Sequence, residues 1–440
     1  MMAQQPTPTP TQAQVDEDAD LEEFIKTYKS WIGPLEGGKC TYFQDREKKY
    51  EFCTGPEGFE LLHRHAEINE LVFKANLQRA RISSENTSVF FEEGTTIYAE
   101  KMSLNKGKGT WTPEEYDHPG FQRQYLHIKG FRGLTEAWSL FERVAAEGLF
   151  DSHLECGEVI RIASICGGPG YELLTAKWFF EKFAPGTDVE LISLDSVASW
   201  EAYTSLMGIR FVQWDATTGG LLEACGLEPG QLTYAVVSYG MVHAGTDACL
   251  DMYRALLQEQ GVRGLLVTER NQRLRALDGL AARGLGVRRL MPQRPGRPDD
   301  RQALVLPAPP AGDGAGGKGR GLPWDPIFPN NPYSMDEFLE YYGRKAREHS
   351  SGICVEFQRK GTCYYGQRCK FSHAASPSGS QARAAEGSSP PLSWRKQHAQ
   401  QLSGQGPPPP AQQQQQWAAG SPSSTAHWGR GGGGGGGGGG

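Results

Sequence analysis

From Val159 to Val305 short apolar runs recur, each followed by an amphipathic stretch. The runs read VIRIAS, VELISLD, IRFVQWD, LTYAVVS, RGLLVTE, GVRRL and RQALVL. Mostly apolar strands need cover on both faces, and helices between them supply it. The pattern therefore predicts a largely parallel sheet of the α/β class. Upstream, Leu21, Phe24, Ile25 and Tyr28 recur at helical spacing, as do Phe59, Leu62, Leu71 and Phe73. Leu134, Trp138, Phe141 and Ala145 form the stripe of a further helix that stops at Gly148. The aromatic-rich segments SVFFEE and TTIYAEKM read as strands, which makes residues 31–133 a mixed α+β region without a recognised motif.

Composition divides the 440 residues further, because the 56 glycines and 28 prolines are concentrated in particular stretches. Residues 1–19, rich in Thr-Pro and Gln, read as a disordered tail. An N-terminal region (20–133) and an α/β domain (134–308) follow, then a flexible linker (309–333) containing GDGAGGKGRG. Ser334 to Glu337 opens a helix by a capping box that leads into a cysteine-rich segment (334–373), and residues 374–440 are a low-complexity tail. No signal-peptide pattern or membrane-length apolar run is visible, so a soluble, intracellular protein, nuclear or cytoplasmic, is expected. Of nine cysteines, Cys40, Cys53, Cys156, Cys166, Cys225 and Cys249 have no framework spacing, as suits a reducing compartment. Cys40 and Cys53 with His63 and His65 match no common metal pattern and read as ordinary core or surface residues.

The other three cysteines form Cys354-x8-Cys363-x5-Cys369-x3-His373. Three thiolates and an imidazole at those intervals can close a tetrahedral Zn²⁺ site in a segment too short to fold otherwise. With Phe357, Gly361, Tyr365-Gly366 and Phe371 between the ligands, the segment resembles the CCCH zinc fingers of RNA-binding proteins. Although the formal net charge of the chain is -6, residues 344–373 carry seven Lys or Arg against two Glu. Phe357, Tyr365 and Phe371 are candidates for stacking on unpaired bases, and Arg359, Lys360, Arg368 and Lys370 for holding phosphates, so single-stranded RNA is the expected partner. Arg288, Arg289, Arg294 and Arg297 either extend that surface or form a solvated face. The acidic run from Asp16 to Glu23 either competes for the basic segment or is simply solvated.

Between its first strand and helix the α/β domain carries Ser164-Ile-Cys-Gly-Gly168-Pro-Gly170, a glycine turn that lets backbone approach a ligand and aims helix N–H groups at it. Asp195 ends the next strand and Asp215 the one after. A carboxylate at the second strand tip can accept two ribose hydroxyls, and one after the third can accept an adenine amine. This layout resembles the class I S-adenosylmethionine-dependent methyltransferases over residues 134–308. The resemblance implies a Rossmann-like sheet, mostly parallel with its last strand, RQALVL, antiparallel, and S-adenosylmethionine as cofactor. It assigns Gly168 and Gly170 to the cofactor loop, Asp195 to the ribose and Asp215 to the adenine. A NAD-binding domain is the competing reading, but the GxGxxG spacing is absent.

Two departures stand out. The family's usual loop acid is Ser164 here, which removes a partner for the cofactor's amino group. The segment after the fourth strand, Ser238 to His243, lacks the Asn/Asp-Pro-Pro-aromatic signature of many amino-group methyltransferases. Tyr239 and His243 stand where the resemblance places side chains that face the transferred methyl and are the catalytic candidates, with a satisfied structural histidine at a strand end the other reading of His243, and Cys166 reads as packing. The expectation is an RNA-directed methyltransferase whose finger recruits substrate. The alternative is a non-enzymatic zinc-finger RNA-binding protein with a degenerate methyltransferase-like fold.

Overall fold

The computed structural model describes residues 11–44, 51–101, 110–156, 158–269, 274–290, 302–308 and 322–328. The chain begins with helix α1 (Gln12–Lys29), a three-stranded antiparallel meander of β1 (Ile32–Glu36), β2 (Lys39–Phe43) and β3 (Glu51–Thr54), and the long helix α2 (Pro56–Ser83). Helices α3 (Thr87–Lys101), α4 (Pro113–Asp117), α5 (Pro119–Ala146) and α6 (His153–Cys156) lead into the sheet. There follow β4 (Ile160–Ile165), α7 (Tyr171–Phe183), β5 (Val189–Asp195), α8 (Glu201–Thr204), β6 (Arg210–Gln213), α9 (Leu221–Cys225) and β7 (Tyr234–Ser238). The sheet is completed after α10 (Met241–Ala244) and α11 (Asp247–Gln258) by β8 (Gly264–Thr268), α12 (Leu274–Ala282), β9 (Gly286–Arg289) and β10 (Gln302–Leu306).

All seven apolar runs of the α/β domain are strands of one sheet, in the order β6-β5-β4-β7-β8-β10-β9. Neighbours from β6 to β8 pair in parallel, whereas β10 runs antiparallel to both β8 and β9. A dinucleotide fold places its sixth strand directly beside the fifth. Here an antiparallel strand is inserted between them, so the sheet has the methyltransferase-like order and not the competing one. Alternate residues of β4 feed two cores: Ile160 and Ile162 pack with α5 and α7, and Ala163 and Ile165 pack with α11 on the other face.

Three expectations for the flanks are corrected. Residues 12–19 of the expected tail are helical: Thr11 and Gln14 form a capping box, and Arg81 of α2 pairs with Glu17 at 2.7 Å and Asp18 at 2.9 Å. Part of the acidic run is therefore used within the fold. SVFFEE, and TTIYAEKM as far as Lys101, belong to helix α3 and are not strands, because its buried positions Thr87, Gly94 and Tyr98 fall on one helical face. A Cβ on Gly94 would lie 1.9 Å from the Gly120 carbonyl carbon, so α3 crosses α5 where neither helix has a side chain. Finally, Leu322–Phe328 of the expected linker is docked. Glu142 of α5 accepts N–H bonds from Trp138 (2.9 Å), Trp324 (3.0 Å) and the Ile327 backbone (3.0 Å), and Phe328 is 2% exposed. No helix among the described residues is long and apolar enough to cross a membrane.

Candidate functional site

The strand order reverses between β4 and β7, and open α/β sheets hold ligands beyond the carboxyl ends of the strands at such a point. Two residues with side chains have left-handed backbone there: Cys166 after β4 (φ 55°) and Tyr239 after β7 (φ 56°). That conformation costs roughly 1–3 kcal/mol per residue and clusters at ligand sites. Gly168 (φ 49°) and Gly170 (φ 81°) shape the turn between β4 and α7, and Gly170 caps α7. The turn is held down by Asp195 at the tip of β5, whose Oδ2 accepts the Gly168 N–H at 3.0 Å and whose Oδ1 accepts the Val197 N–H at 3.0 Å. Burial pushes the Asp195 carboxyl above its ordinary range against these bonds. The Ser196 N–H also favours the ionised carboxyl, which keeps acceptor capacity for a further donor.

Asp215, after β6, is exposed. Its Oδ1 accepts the Thr217 N–H and hydroxyl, both at 2.8 Å, and Oδ2 has no partner among the described residues. His243 lies on α10, with Nε2 3.4 Å from the Thr110 hydroxyl and its ring 5.9 Å from that of Tyr116. Tyr239 donates its hydroxyl to Glu136 of α5, which also accepts from Arg132 Nε at 2.8 Å. Burial opposes ionisation of Glu136, but Arg132, the Tyr239 hydroxyl and Lys129 outweigh it and hold the carboxyl below its usual range. Lys129 Nζ lies 4.3 Å from the Tyr239 ring centroid. Burial and the neighbouring Asp195 push the Cys166 thiol up, so it stays protonated and unsuited to nucleophilic attack.

The N-terminal region, without a role in the sequence reading, roofs this edge. An aromatic chain runs from Tyr98 of α3 through Trp111 and Phe121 to Tyr125 of α5. Tyr125 then meets Trp200, just beyond Asp195, at 5.6 Å. Gln122 donates to the Ser199 hydroxyl at 2.9 Å, fixing α5 to the β5 loop, while Lys129, Arg132 and Glu136 fix the same helix to β7. A Cβ on Gly133 would lie 3.1 Å from Tyr171 Cβ, so α5 also passes close to the start of α7. The helical stripe pointed to α5, but nothing in one sequence says which tips it covers. Glu172, by contrast, directly follows the glycine turn. It is 7% exposed and accepts the Ser164 hydroxyl.

Among the described residues no group of three metal-ligating side chains occurs. Cys354, Cys363, Cys369 and His373 lie outside them, as do Phe357, Arg359, Lys360, Tyr365, Arg368, Lys370 and Phe371. Of the arginine cluster, Arg288 pairs with Glu147 at 2.7 Å and Arg289 lies 3.5 Å from Asp278, while Arg294 and Arg297 lie outside the described residues.

No family model and no curated protein matches the chain. Among solved structures it is similar to a precorrin-6y C5,15-methyltransferase from Geobacter metallireducens, at 14% identity over 37% of this chain and 84% of that one, with a TM-score of 0.25. It is also similar to human N-acetylserotonin methyltransferase in complex with S-adenosylmethionine, at 14% identity over 45% and 57% of the two chains, with a TM-score of 0.26. An S-adenosylmethionine-dependent methyltransferase from Agrobacterium tumefaciens matches at 16% identity over 37% and 61%, also with a TM-score of 0.26. At these scores the fold assignment rests on the sheet order alone.

Proposed function

We propose that the protein is an S-adenosylmethionine-dependent methyltransferase acting on RNA, with a zinc finger that recruits the substrate. The observation that carries the reading is the glycine turn latched to Asp195 at the switch point of a sheet with one inserted antiparallel strand. The residues present fit the cofactor. The turn has no Cβ at Gly168 and Gly170, Asp195 can still accept hydroxyls, and Asp215 Oδ2 is open to an amine.

The cofactor supplies a methyl group already activated on a sulfonium, so the protein's work is positioning and exclusion of water. Asp195 would hold the ribose and Asp215 the adenine. The half-buried rings of Tyr116 and Tyr125, with buried Trp200, would limit solvent access at this edge. Tyr239, locked by Glu136, supports a catalytic role in presenting a rigid ring to the acceptor, and His243 Nε2 can take a proton from it. Cys354, Cys363, Cys369 and His373 would hold Zn²⁺, giving Phe357, Tyr365 and Phe371 a frame for stacking on bases and Arg359, Lys360, Arg368 and Lys370 one for phosphates. With Leu322–Phe328 docked, a finger joined to the fold through the residues that follow would raise the local RNA concentration at the site.

Methyl transfer from labelled S-adenosylmethionine to cellular RNA tests the reading. Full-length protein should label RNA, His243→Ala should lower the rate, and chelation of zinc should remove RNA crosslinking while leaving cofactor binding intact. Labelling of protein but not RNA, or crosslinking indifferent to chelator, contradicts the RNA assignment.

A further inference from the structure

The chain lacks the acid that usually stands at position 164, yet a carboxylate returns to the same place from the next element. Glu172, in the first turn of α7, lies eight residues beyond Ser164 and accepts its hydroxyl. Ser164 and Ser193 are fully buried beneath Gly167, where an added Cβ would lie 2.5 Å from Ser193 Oγ and 2.9 Å from Ser164 Oγ. The carboxyl group and two hydroxyls thus form one layer directly under the glycine turn, with Asp195 latching the turn from β5. Tyr125, in the roof, is close enough to feel the charge of both carboxylates.

Neither carboxylate has a cationic side chain bonded to it among the described residues. Two acids around one turn, Glu172 buried and Asp195 half-buried, are costly to ionise together without a cation. Burial, with Asp195 adding to it, pushes the Glu172 carboxyl up to about 7, and burial raises Asp195 as well. A positive charge arriving with a ligand removes that cost, and the ligand of this turn has one at the end remote from its adenine.

We propose that Glu172 receives the ammonium group of S-adenosylmethionine, supplying from α7 the carboxylate that Ser164 lacks. The assignment rests on the cofactor reading above. The groups facing Glu172 are the Ser164 hydroxyl of β4, Asp195 of β5 and the Tyr125 phenol of α5. Below about pH 7 the ligand-free protein carries a proton on Glu172 that binding must expel. Affinity for ligands with the ammonium therefore falls as the solution is acidified.

Calorimetry on the full-length chain with S-adenosylhomocysteine, which keeps the amino-acid end, and 5′-methylthioadenosine, which lacks it, tests the proposal. At pH 7.5 Glu172→Gln should weaken S-adenosylhomocysteine by about tenfold or more while leaving 5′-methylthioadenosine within about twofold. Glutamine keeps an acceptor for Ser164, so a purely structural role predicts equal change for both ligands, and that result overturns the proposal, as does no change for either. Should the variant not fold, the wild-type profile decides. The affinity ratio of the two ligands should fall between pH 7.5 and 5.5, and a constant ratio overturns the assignment. If the wild type binds neither ligand, the cofactor reading itself fails and this assignment falls with it.

Discussion

The sheet edge and the helical roof grip the same space by different means. At the edge, main chain does the holding: the Gly168 and Val197 N–H groups anchor Asp195, and left-handed backbone sets the directions of Cys166 and Tyr239. In the roof, side chains do it, through ring contacts from Tyr98 to Trp200 and through Glu136, which ties Tyr239 and Arg132 together. Geometry fixed by backbone persists when a neighbouring side chain is trimmed. Geometry fixed by packing does not. Substitutions at the edge should therefore alter ligand affinity, and those in the roof or behind it mainly stability.

The largest effect should come from behind the roof. Phe328→Ala removes a buried ring that packs on Trp138 and Tyr42, and should cost about 3–5 kcal/mol in denaturant unfolding. Little change would mean that this segment is only a tether. At the edge, acidity supplies the next test. Between the ordinary carboxyl value of 4.5 and about 7, folded Glu172 retains a proton that the unfolded chain has released. Its contribution is full below 4.5 and is lost as pH rises through about 7, a difference of about 3 kcal/mol. Stability profiles of wild type and Glu172→Gln should therefore diverge across that window, and parallel profiles would show that the carboxyl is already ionised.

Tyr239→Phe sharpens the comparison, since it keeps the ring but takes one donor from buried Glu136. A loss of about 1–3 kcal/mol in stability is expected. Equal melting of the two proteins would show that Arg132 suffices. The smallest effect belongs to Arg288→Ala. Its ion pair with Glu147 is partly exposed, so stability should change by less than about 1 kcal/mol. An unchanged RNA affinity in the same variant would exclude it from the binding surface.

What could be read from the sequence follows the same division. The central strands announced themselves as mostly apolar runs, whereas β6 and β9 at the two sheet edges carry polar residues and were marked more by their place in the strand-helix alternation; the glycine turn and the strand-tip position of Asp195 were legible because they depend on neighbours close in the chain. Trp200, Tyr125 and Lys129 were not, since their place depends on how α5 lands on the sheet, which periodicity does not encode. Helix α3 was misread because β-branched and aromatic residues favour strands, whereas packing against α5, closely crossed at Gly94, overrides that preference. Leu322–Phe328 was hidden by its prolines, although Trp324, Ile327 and Phe328 mark it as a segment with something to bury. Glu172 stood in plain view beside the turn, but its meaning required the bond to Ser164.

Calorimetric titration of the full-length protein with S-adenosylmethionine, beside Asp195→Ala, tests the central claim most directly. The account predicts one-to-one binding by the wild type and a loss of about a hundredfold or more in the variant, because a charged acceptor for two hydroxyls is gone. Superimposable isotherms, or no heat from the wild type, would contradict it.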